Sequence, residues 1–253
     1  MRKLNLCILS MLLLLGFSGT AFAHFGMLIP EQSIVLPQKK TSKLQLSFSH
    51  PFEMVGMNLI RPQKFSVFHD GKETDLLSSL KKAKIMGHEA FEADYKFKRP
   101  GMYTFFMEPT PYPEPAEDNY IIHYTKTVVS AFNEGEDWNT PLGVKTEIVP
   151  LTRPWGNYAG NVFQGVVLVD GKPAPYTRVE VEYYNKDSKL KAPYECMITQ
   201  EVLCDENGVF TFVCPKAGWW GFAGLNDADY KIKGKEVELG AVLWIEMISY
   251  QSE

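Results

Sequence analysis

The stretch FEADYKFKRPGMYTFFM, residues 91–107, decides the fold class. Every second residue from Phe91 to Phe97 is apolar, and this period of two is typical of a half-buried β-strand. Arg99-Pro100-Gly101 then forms a turn sequence, and a second apolar segment follows over residues 102–107. The stretch therefore predicts two strands joined by a tight turn.

The same alternation continues along the chain, whereas no segment of helical length carries an apolar stripe of helical period. The sequence predicts an all-β protein, with residues 75–84 as the one candidate for a short helix. Turns are expected at Asp70-Gly71, at residues 170–173 and at Asn207-Gly208. Further strands are predicted at residues 44–48, 119–132, 162–169, 178–184, 197–204, 209–214, 218–225 and 237–247.

The amino terminus has the parts of an export signal. Arg2 and Lys3 precede an apolar run over residues 4–17, and Ala21-Phe22-Ala23 forms a small-residue cleavage site. No later stretch reaches the ~20 apolar residues that a spanning helix needs. We expect residues 1–23 to be a cleaved signal peptide and the mature, periplasmic protein to begin at His24.

Removing 23 residues from the 253 leaves 230, enough for two small domains. Acids, glycines and Trp138 collect over residues 133–143, and a new series of strands follows Pro150, so we predict domains at 24–149 and 150–253. Loss of Arg2 and Lys3 lowers the basic count from 26 to 24 against 30 acidic residues, a net charge of −6. This charge argues against nucleic acid or anionic lipid as a partner and favours a cation.

Three cysteines, Cys196, Cys204 and Cys214, belong to the mature chain, so at least one is unpaired. A hairpin at Asn207-Gly208 would set Cys204 and Cys214 on opposite faces of one sheet, too far apart for a disulfide. We interpret all three as small buried apolar residues.

Metal-binding residue types concentrate in the first half, which holds all five histidines and six of the eight mature methionines. Imidazole and thioether groups suit late first-row metals, whereas Mg²⁺ and Ca²⁺ favour carboxylate-rich loops. His24 is the strongest candidate, because a free α-amine and its own imidazole can bind one ion together. The alternative is a polar residue at a frayed terminus.

Two further histidines complete a candidate site. His50 lies where a strand runs into a proline-containing loop, with Glu53, Met54 and Met57 as supporting groups, although a loop histidine can also simply bond a carbonyl. His123 lies in an apolar strand, where a lone histidine is more often a hydrogen-bonded core residue. We predict His24, His50 and His123 as the metal ligands.

Other features are interpreted as structural. His69 and His88 fall in polar connections and are expected to be exposed, and residues 108–118 are expected to form a stiff surface loop rather than a lid. The aromatic group Trp219, Trp220 and Phe222 suggests core packing rather than a carbohydrate platform. No G-x-S-x-G, H-E-x-x-H, P-loop or G-x-G-x-x-G motif is present, which argues against an enzyme.

Several segments carry a family resemblance that covers essentially the whole mature chain. The segments are His24-Phe25-Gly26-Met27 and residues 47–53, 121–126, 151–154, 156–160 and 216–222. In these segments the chain resembles the periplasmic-component family of bacterial cobalt and nickel uptake systems.

The resemblance implies an accessory protein that binds Ni²⁺ or Co²⁺ and delivers it to the membrane subunits of an energy-coupling-factor type transporter. It also implies two immunoglobulin-like β-sandwich domains, the second similar to a carboxypeptidase regulatory-like domain. Two alternatives stay open from the residues themselves: a periplasmic copper carrier, since Cu²⁺ binds nitrogen sites more tightly, and a structural adaptor that binds no metal.

Overall fold

The computed structural model describes residues 24–251, and the expected signal peptide, residues 1–23, lies outside them. The described chain is all-β, as predicted, with two short 3-10 turns at Leu77–Ser79 and Glu195–Met197. Its strands are β1 Phe25–Pro30, β2 Ile34–Val35, β3 Thr41–His50, β4 Val55–Met57, β5 Lys64–His69, β6 Lys72–Asp75, β7 Lys81–Ile85, β8 His88–Lys96, β9 Gly101–Glu108 and β10 Tyr112–Glu114. They continue as β11 Asn119–Ala131, β12 Thr146–Pro150, β13 Asn157–Tyr158, β14 Val162–Val169, β15 Lys172–Pro173, β16 Arg178–Tyr183, β17 Gln200–Leu203, β18 Val209–Val213, β19 Gly218–Asp227 and β20 Val237–Ile248.

An eleven-stranded sheet runs through both halves of the chain, in the order β17-β16-β19-β20-β11-β9-β5-β6 with β2, β10 and β13 attached. A five-stranded sheet, β1-β3-β8-β7 with β4, packs on the first half of it and encloses one core. A four-stranded sheet, β12-β14-β15 with β18, encloses a second core on the other half. The result is two β-sandwiches that share one sheet.

Parallel pairing joins the two halves. Residues 120–127 of β11 pair with residues 237–244 of β20, strands that are far apart in sequence. We call this β11–β20 pairing the seam. The β1 strand is buried along its whole length and packs on the seam through Phe25, Met27 and Ile29, which form one buried cluster with Trp244. The indole Nε1 of Trp244 donates to the Gly26 carbonyl at 2.8 Å. Residues 25–29 are thus held against both sandwiches.

Local turn predictions are confirmed at two places. Asp70 and Gly71 join β5 to β6, and Asp170 and Gly171 join β14 to β15, each residue with a positive φ. Such φ values are typical of the two-residue turns that match strand twist. The predicted core role of the aromatic group also holds, because Trp219, Trp220 and Phe222 are buried.

Three local predictions are wrong. Residues 75–84 form no helix beyond the 3-10 turn, since the segment continues into β7. The chain turns at Gly208, but β17 pairs with β16 and β18 with β14, so the expected hairpin is replaced by strands in two different sheets. Cys204 and Cys214 are buried and free, as expected, whereas Cys196 is free and exposed.

No helix within residues 24–251 is long and apolar enough to cross a membrane. The division into domains at residue 150 stays a prediction.

Candidate metal centre

Antiparallel pairing brings His24 beside His50. Phe25 of β1 lies opposite Ser49 of β3, so one further step of this register sets the two histidines opposite each other, with their rings tilted by 54°. Their ring centroids are 4.7 Å apart. The Phe48 ring stacks on His24 at 5.5 Å and closes one side of the pair. Two residues that lie far apart in the sequence are therefore joined by strand pairing alone.

His123 lies close to the same pair but makes its own hydrogen bonds. The Gly26 amide donates to Nδ1 of His123 at 3.2 Å, so this nitrogen carries no proton. The proton of the neutral ring is then on Nε2, which donates to Oε1 of Glu238 at 3.3 Å. His123 is 1% exposed, and its ring meets Phe48 edge-on at 5.7 Å.

Two glycines make room for the His123 ring. A Cβ atom added to Gly26 would lie 2.2 Å from Oγ1 of Thr125 and 3.0 Å from Cβ of His123. A Cβ atom added to Gly240 would lie 2.3 Å from Cδ2 of His123. The backbone of β1 and β20 can approach the histidine this closely only because neither residue has a side chain.

Glu114 holds the other face of His24. Its Oε2 lies 2.9 Å from Nε2 of His24, and both side chains are largely buried, at 8% and 15% exposure. An ionised carboxylate only accepts hydrogen bonds, so the contact places a proton on Nε2 and leaves the lone pair of a neutral His24 ring on Nδ1. In a chain that begins at His24, the α-amine would be joined to this ring through Cα and Cβ, so the amine and Nδ1 can close a six-membered ring on one ion.

The Glu114 contact corrects a sequence prediction. Residues 108–118 are not a plain surface loop, because Tyr112–Glu114 forms β10 and pairs with β11. Pro113 is tolerated there since β10 is a short edge strand. The only signal in the sequence was Glu114 between two prolines, one of four acids in the segment, which does not distinguish a buried glutamate from an exposed one.

Burial keeps the paired imidazoles neutral. It lowers the pKa of His50 to about 4, with the charge of His24 as a smaller cause. Burial also lowers the pKa of His24, although Glu114 opposes this shift. Neutral imidazole is the form that binds metal, so near pH 7 neither ring has to lose a proton first.

The second half of the chain positions the loop that carries His50. The amide of Phe52 donates to Oε2 of Glu182 at 3.2 Å, and the amide of Asn185 donates to the Pro51 carbonyl at 3.2 Å. The Asn185 side chain also donates to the Phe52 carbonyl at 3.1 Å. The site is therefore a product of both sandwiches.

The other histidines and methionines considered from the sequence are not part of the His24–His50 pair. His69 was expected to be exposed, but it is only partly exposed and stacks on Tyr103 with a ring separation of 3.9 Å, whereas His88 is exposed as expected. Met57 packs against the first core and Met54 against the seam, so both serve packing. Among residues 24–251, no three His, Cys, Asp or Glu side chains are placed to hold a metal together.

Comparison with known proteins identifies a family. The model of DUF4198, described as a domain of unknown function, matches residues 21–227. No curated protein is significantly similar in sequence.

Solved structures give only weak likenesses. Alpha-2-macroglobulin from Escherichia coli is 11% identical with a TM-score of 0.28, over 90% of this chain, which spans 16% of that protein. Tandem immunoglobulin domains of titin are 10% identical with a TM-score of 0.20, over 90% of this chain and 100% of theirs. A Bacteroides uniformis protein described as a putative carbohydrate binding protein is 10% identical with a TM-score of 0.25, over 75% of this chain and 90% of its own. Likenesses this weak carry no functional argument.

Proposed function

Because the chain belongs to the DUF4198 family, whose description assigns no activity, we propose a function from the site itself: capture of one late first-row divalent metal ion by a free His24 terminus together with His50. The observation that carries this proposal is the contact between His24 Nε2 and Glu114 at 2.9 Å. It occupies the ring nitrogen far from the backbone and leaves Nδ1, which can close a small chelate ring with the α-amine.

The proposed ligand set has three nitrogen atoms: the α-amine and Nδ1 of His24, and the imidazole of His50. The 4.7 Å ring separation is supporting geometry, since two imidazoles that share an ion must approach this closely. Glu114 acts as the outer carboxylate that orients a metal-binding histidine. The side chains of His24 and His50 supply only two of these nitrogen donors. The third donor, the α-amine, exists only after cleavage before His24.

His123 has a different position in this proposal. Both of its ring nitrogens are engaged, by Gly26 and Glu238, so metal binding would require Nε2 to exchange the carboxylate for the ion. Its place as a third histidine ligand stays a prediction. In the present arrangement it fixes β1 through Gly26 and so sets the direction of His24.

We propose Ni²⁺ or Co²⁺ as the cargo and delivery to the membrane subunits of an energy-coupling-factor type transporter as the purpose. Both rest on the family resemblance of the sequence. A site with few protein ligands suits delivery, because a recipient ligand can enter the coordination shell before the carrier releases the ion.

A copper carrier is the second candidate, and the ligand chemistry favours it. Three nitrogen donors without a carboxylate in the shell bind Cu²⁺ more tightly than Ni²⁺ or Co²⁺. Whether the protein carries nickel or cobalt on the one hand or copper on the other therefore depends on which ion is available and which partner receives it, as well as on affinity.

Calorimetric titration of the mature protein with Ni²⁺, Co²⁺ and Cu²⁺ tests the proposal. His50→Ala should weaken binding at least tenfold, about 1.4 kcal/mol. His88→Ala is the matched control, because His88 is an exposed histidine of the same sandwich, and it should leave affinity unchanged. Absence of saturable binding by any of the three metals would instead support a structural adaptor, and equal losses in both variants would contradict the site.

A further inference from the structure

A groove of ≈390 Å³ is lined by residues of β5, β6, β8 and β9 and shares no residue with the candidate metal centre. We call it the basic groove. The β5–β6 hairpin contributes Lys72, the end of β8 contributes Tyr95 and Lys96, and the following turn and β9 contribute Lys98, Arg99 and Tyr103. Its cationic side chains thus come from two segments, β6 and residues 96–99, that the fold brings together.

The charge of the groove is opposite to that of the protein. The chain has a net charge of −4, yet four cationic side chains line this one cavity. Asp70 is the carboxylate beside them, and it pairs with Arg99 at 3.2 Å. Lys72, Lys96 and Lys98 make no ion pair with any residue in the range 24–251. Like charges gathered in this way repel each other until an anion lies between them.

The wall of the groove is aromatic and ordered by packing. His69 stacks on Tyr103 at 3.9 Å, and Tyr95 meets Tyr103 edge-on at 5.8 Å. The Tyr103 hydroxyl donates to the Arg99 carbonyl at 3.0 Å, which fixes the turn that carries Lys98 and Arg99. The cations therefore surround a rigid surface rather than a mobile loop.

We propose that the basic groove binds a small phosphate-bearing anion. Its volume falls in the range of about 300–1,000 Å³ that is typical of small-molecule sites. Lysine ammonium groups bind phosphate oxygens as point charges, and Arg99 adds a planar donor. Anion binding in the basic groove is independent of metal capture, because the groove shares no residue with the proposed metal site at His24 and His50.

A structural role makes a different prediction. The β6 strand is the edge of the large sheet, and charged residues on edge strands prevent pairing with other chains. In that case the lysines would serve solubility, and no anion would bind with a defined stoichiometry.

Calorimetric titration with sodium pyrophosphate at low ionic strength separates the two roles. The mature protein should bind one equivalent, more weakly as salt increases. The double variant Lys72→Gln/Lys98→Gln should lose at least tenfold in affinity. The control Lys82→Gln/Lys84→Gln removes the same charge from exposed residues of β7 and should bind as the unmodified protein does.

Vesicles that contain phosphatidic acid identify the source of the phosphate. Sedimentation of the protein with vesicles, lost in Lys72→Gln/Lys98→Gln, assigns a lipid headgroup, whereas pyrophosphate binding without sedimentation assigns a soluble ligand. Both results support the anion site. No saturable binding to either probe, or equal losses in the control variant, would overturn it. Thermal unfolding of each variant shows that the fold is retained.

Discussion

Strand β11 carries two buried polar clusters, and they are completed in opposite ways. On one face, Nζ of Lys126 lies 2.6 Å from Oε2 of Glu147, whose two oxygens also accept the amides of Leu142 and Gly143. On the other face, His123 and Glu238 border a His24–His50 pair of neutral rings. The first cluster pairs its own charges, whereas in the second the Glu114 contact leaves Nδ1 of a neutral His24 ring as an acceptor.

The difference separates structural from functional burial of polar groups. A buried ion pair whose carboxylate accepts from its cation and from two backbone amides is self-contained, and its oxygens are already occupied. Neutral imidazoles held by outer carboxylates keep the capacity to bind a metal. Burial alone therefore identifies neither role, and the hydrogen-bond inventory of each cluster decides.

The largest effect is expected from breaking the self-contained cluster. Lys126→Met leaves the Glu147 carboxylate buried without its cation, and we expect a loss of about 3–5 kcal/mol in the free energy of unfolding. The double variant Lys126→Met/Glu147→Leu should recover most of this loss, since two apolar side chains leave no buried charge. Chemical denaturation measures both. A single variant as stable as the unmodified protein would show that the pair is solvated and that the comparison fails.

A smaller effect is expected from Glu182, a buried carboxyl that has no cationic partner among residues 24–251. Burial raises the pKa of Glu182 to about 8, against hydrogen bonds from Thr199 and the Phe52 amide. The folded state therefore favours the protonated acid, so this contribution to stability is complete below the unfolded-state pKa and is lost as pH rises towards 8.

Chemical denaturation between pH 5 and 8.5 measures how much Glu182 contributes to the free energy of unfolding. We expect a fall of about 2–4 kcal/mol across this window, at most about 1.4 kcal/mol per pH unit. Glu182→Gln should flatten the profile because the amide cannot ionise. If the variant and the unmodified protein decline in parallel, the pKa of Glu182 is ordinary and the His50 loop is not anchored by a protonated acid.

The smallest effect is expected at Glu114, which sharpens the functional side of the comparison. Glu114→Ala removes the carboxylate that orients His24 and should weaken metal binding about 10–100-fold. Glu114→Gln keeps an acceptor oxygen and should lose less. Glu117→Ala changes the charge equally at an exposed neighbour and serves as the control. Unchanged affinity in Glu114→Ala would remove the orienting role.

Local features of the fold could be predicted from the sequence, and distant pairings could not. The turns at Asp70-Gly71 and Asp170-Gly171 depend on backbone conformations that few residues adopt, so a two-residue motif is enough to predict each turn. Asn207-Gly208 carried the same signal, but the choice of partner for β17 and β18 depends on which sheet buries their apolar faces. No local sequence pattern indicated the parallel pairing of β11 with β20.

The candidate site shows the same division. His24 and His50 could be proposed from their chemistry and their positions at the ends of a leader and a strand. Glu114 and Glu238 could not, because their roles arise from strand pairings that place an ordinary acid beside an imidazole. Outer carboxylates of this kind are set by geometry rather than by a motif.

The free α-amine of His24 is the central element of the account, and one comparison of two proteins tests it. The first begins at His24, and the second carries one additional alanine ahead of it, with every side chain retained. Calorimetric titration with Ni²⁺, Co²⁺ and Cu²⁺ should show one tight site in the first protein and a loss on the order of 100-fold, about 2.7 kcal/mol, in the second. Equal affinities in the two proteins would contradict the amino-terminal chelate.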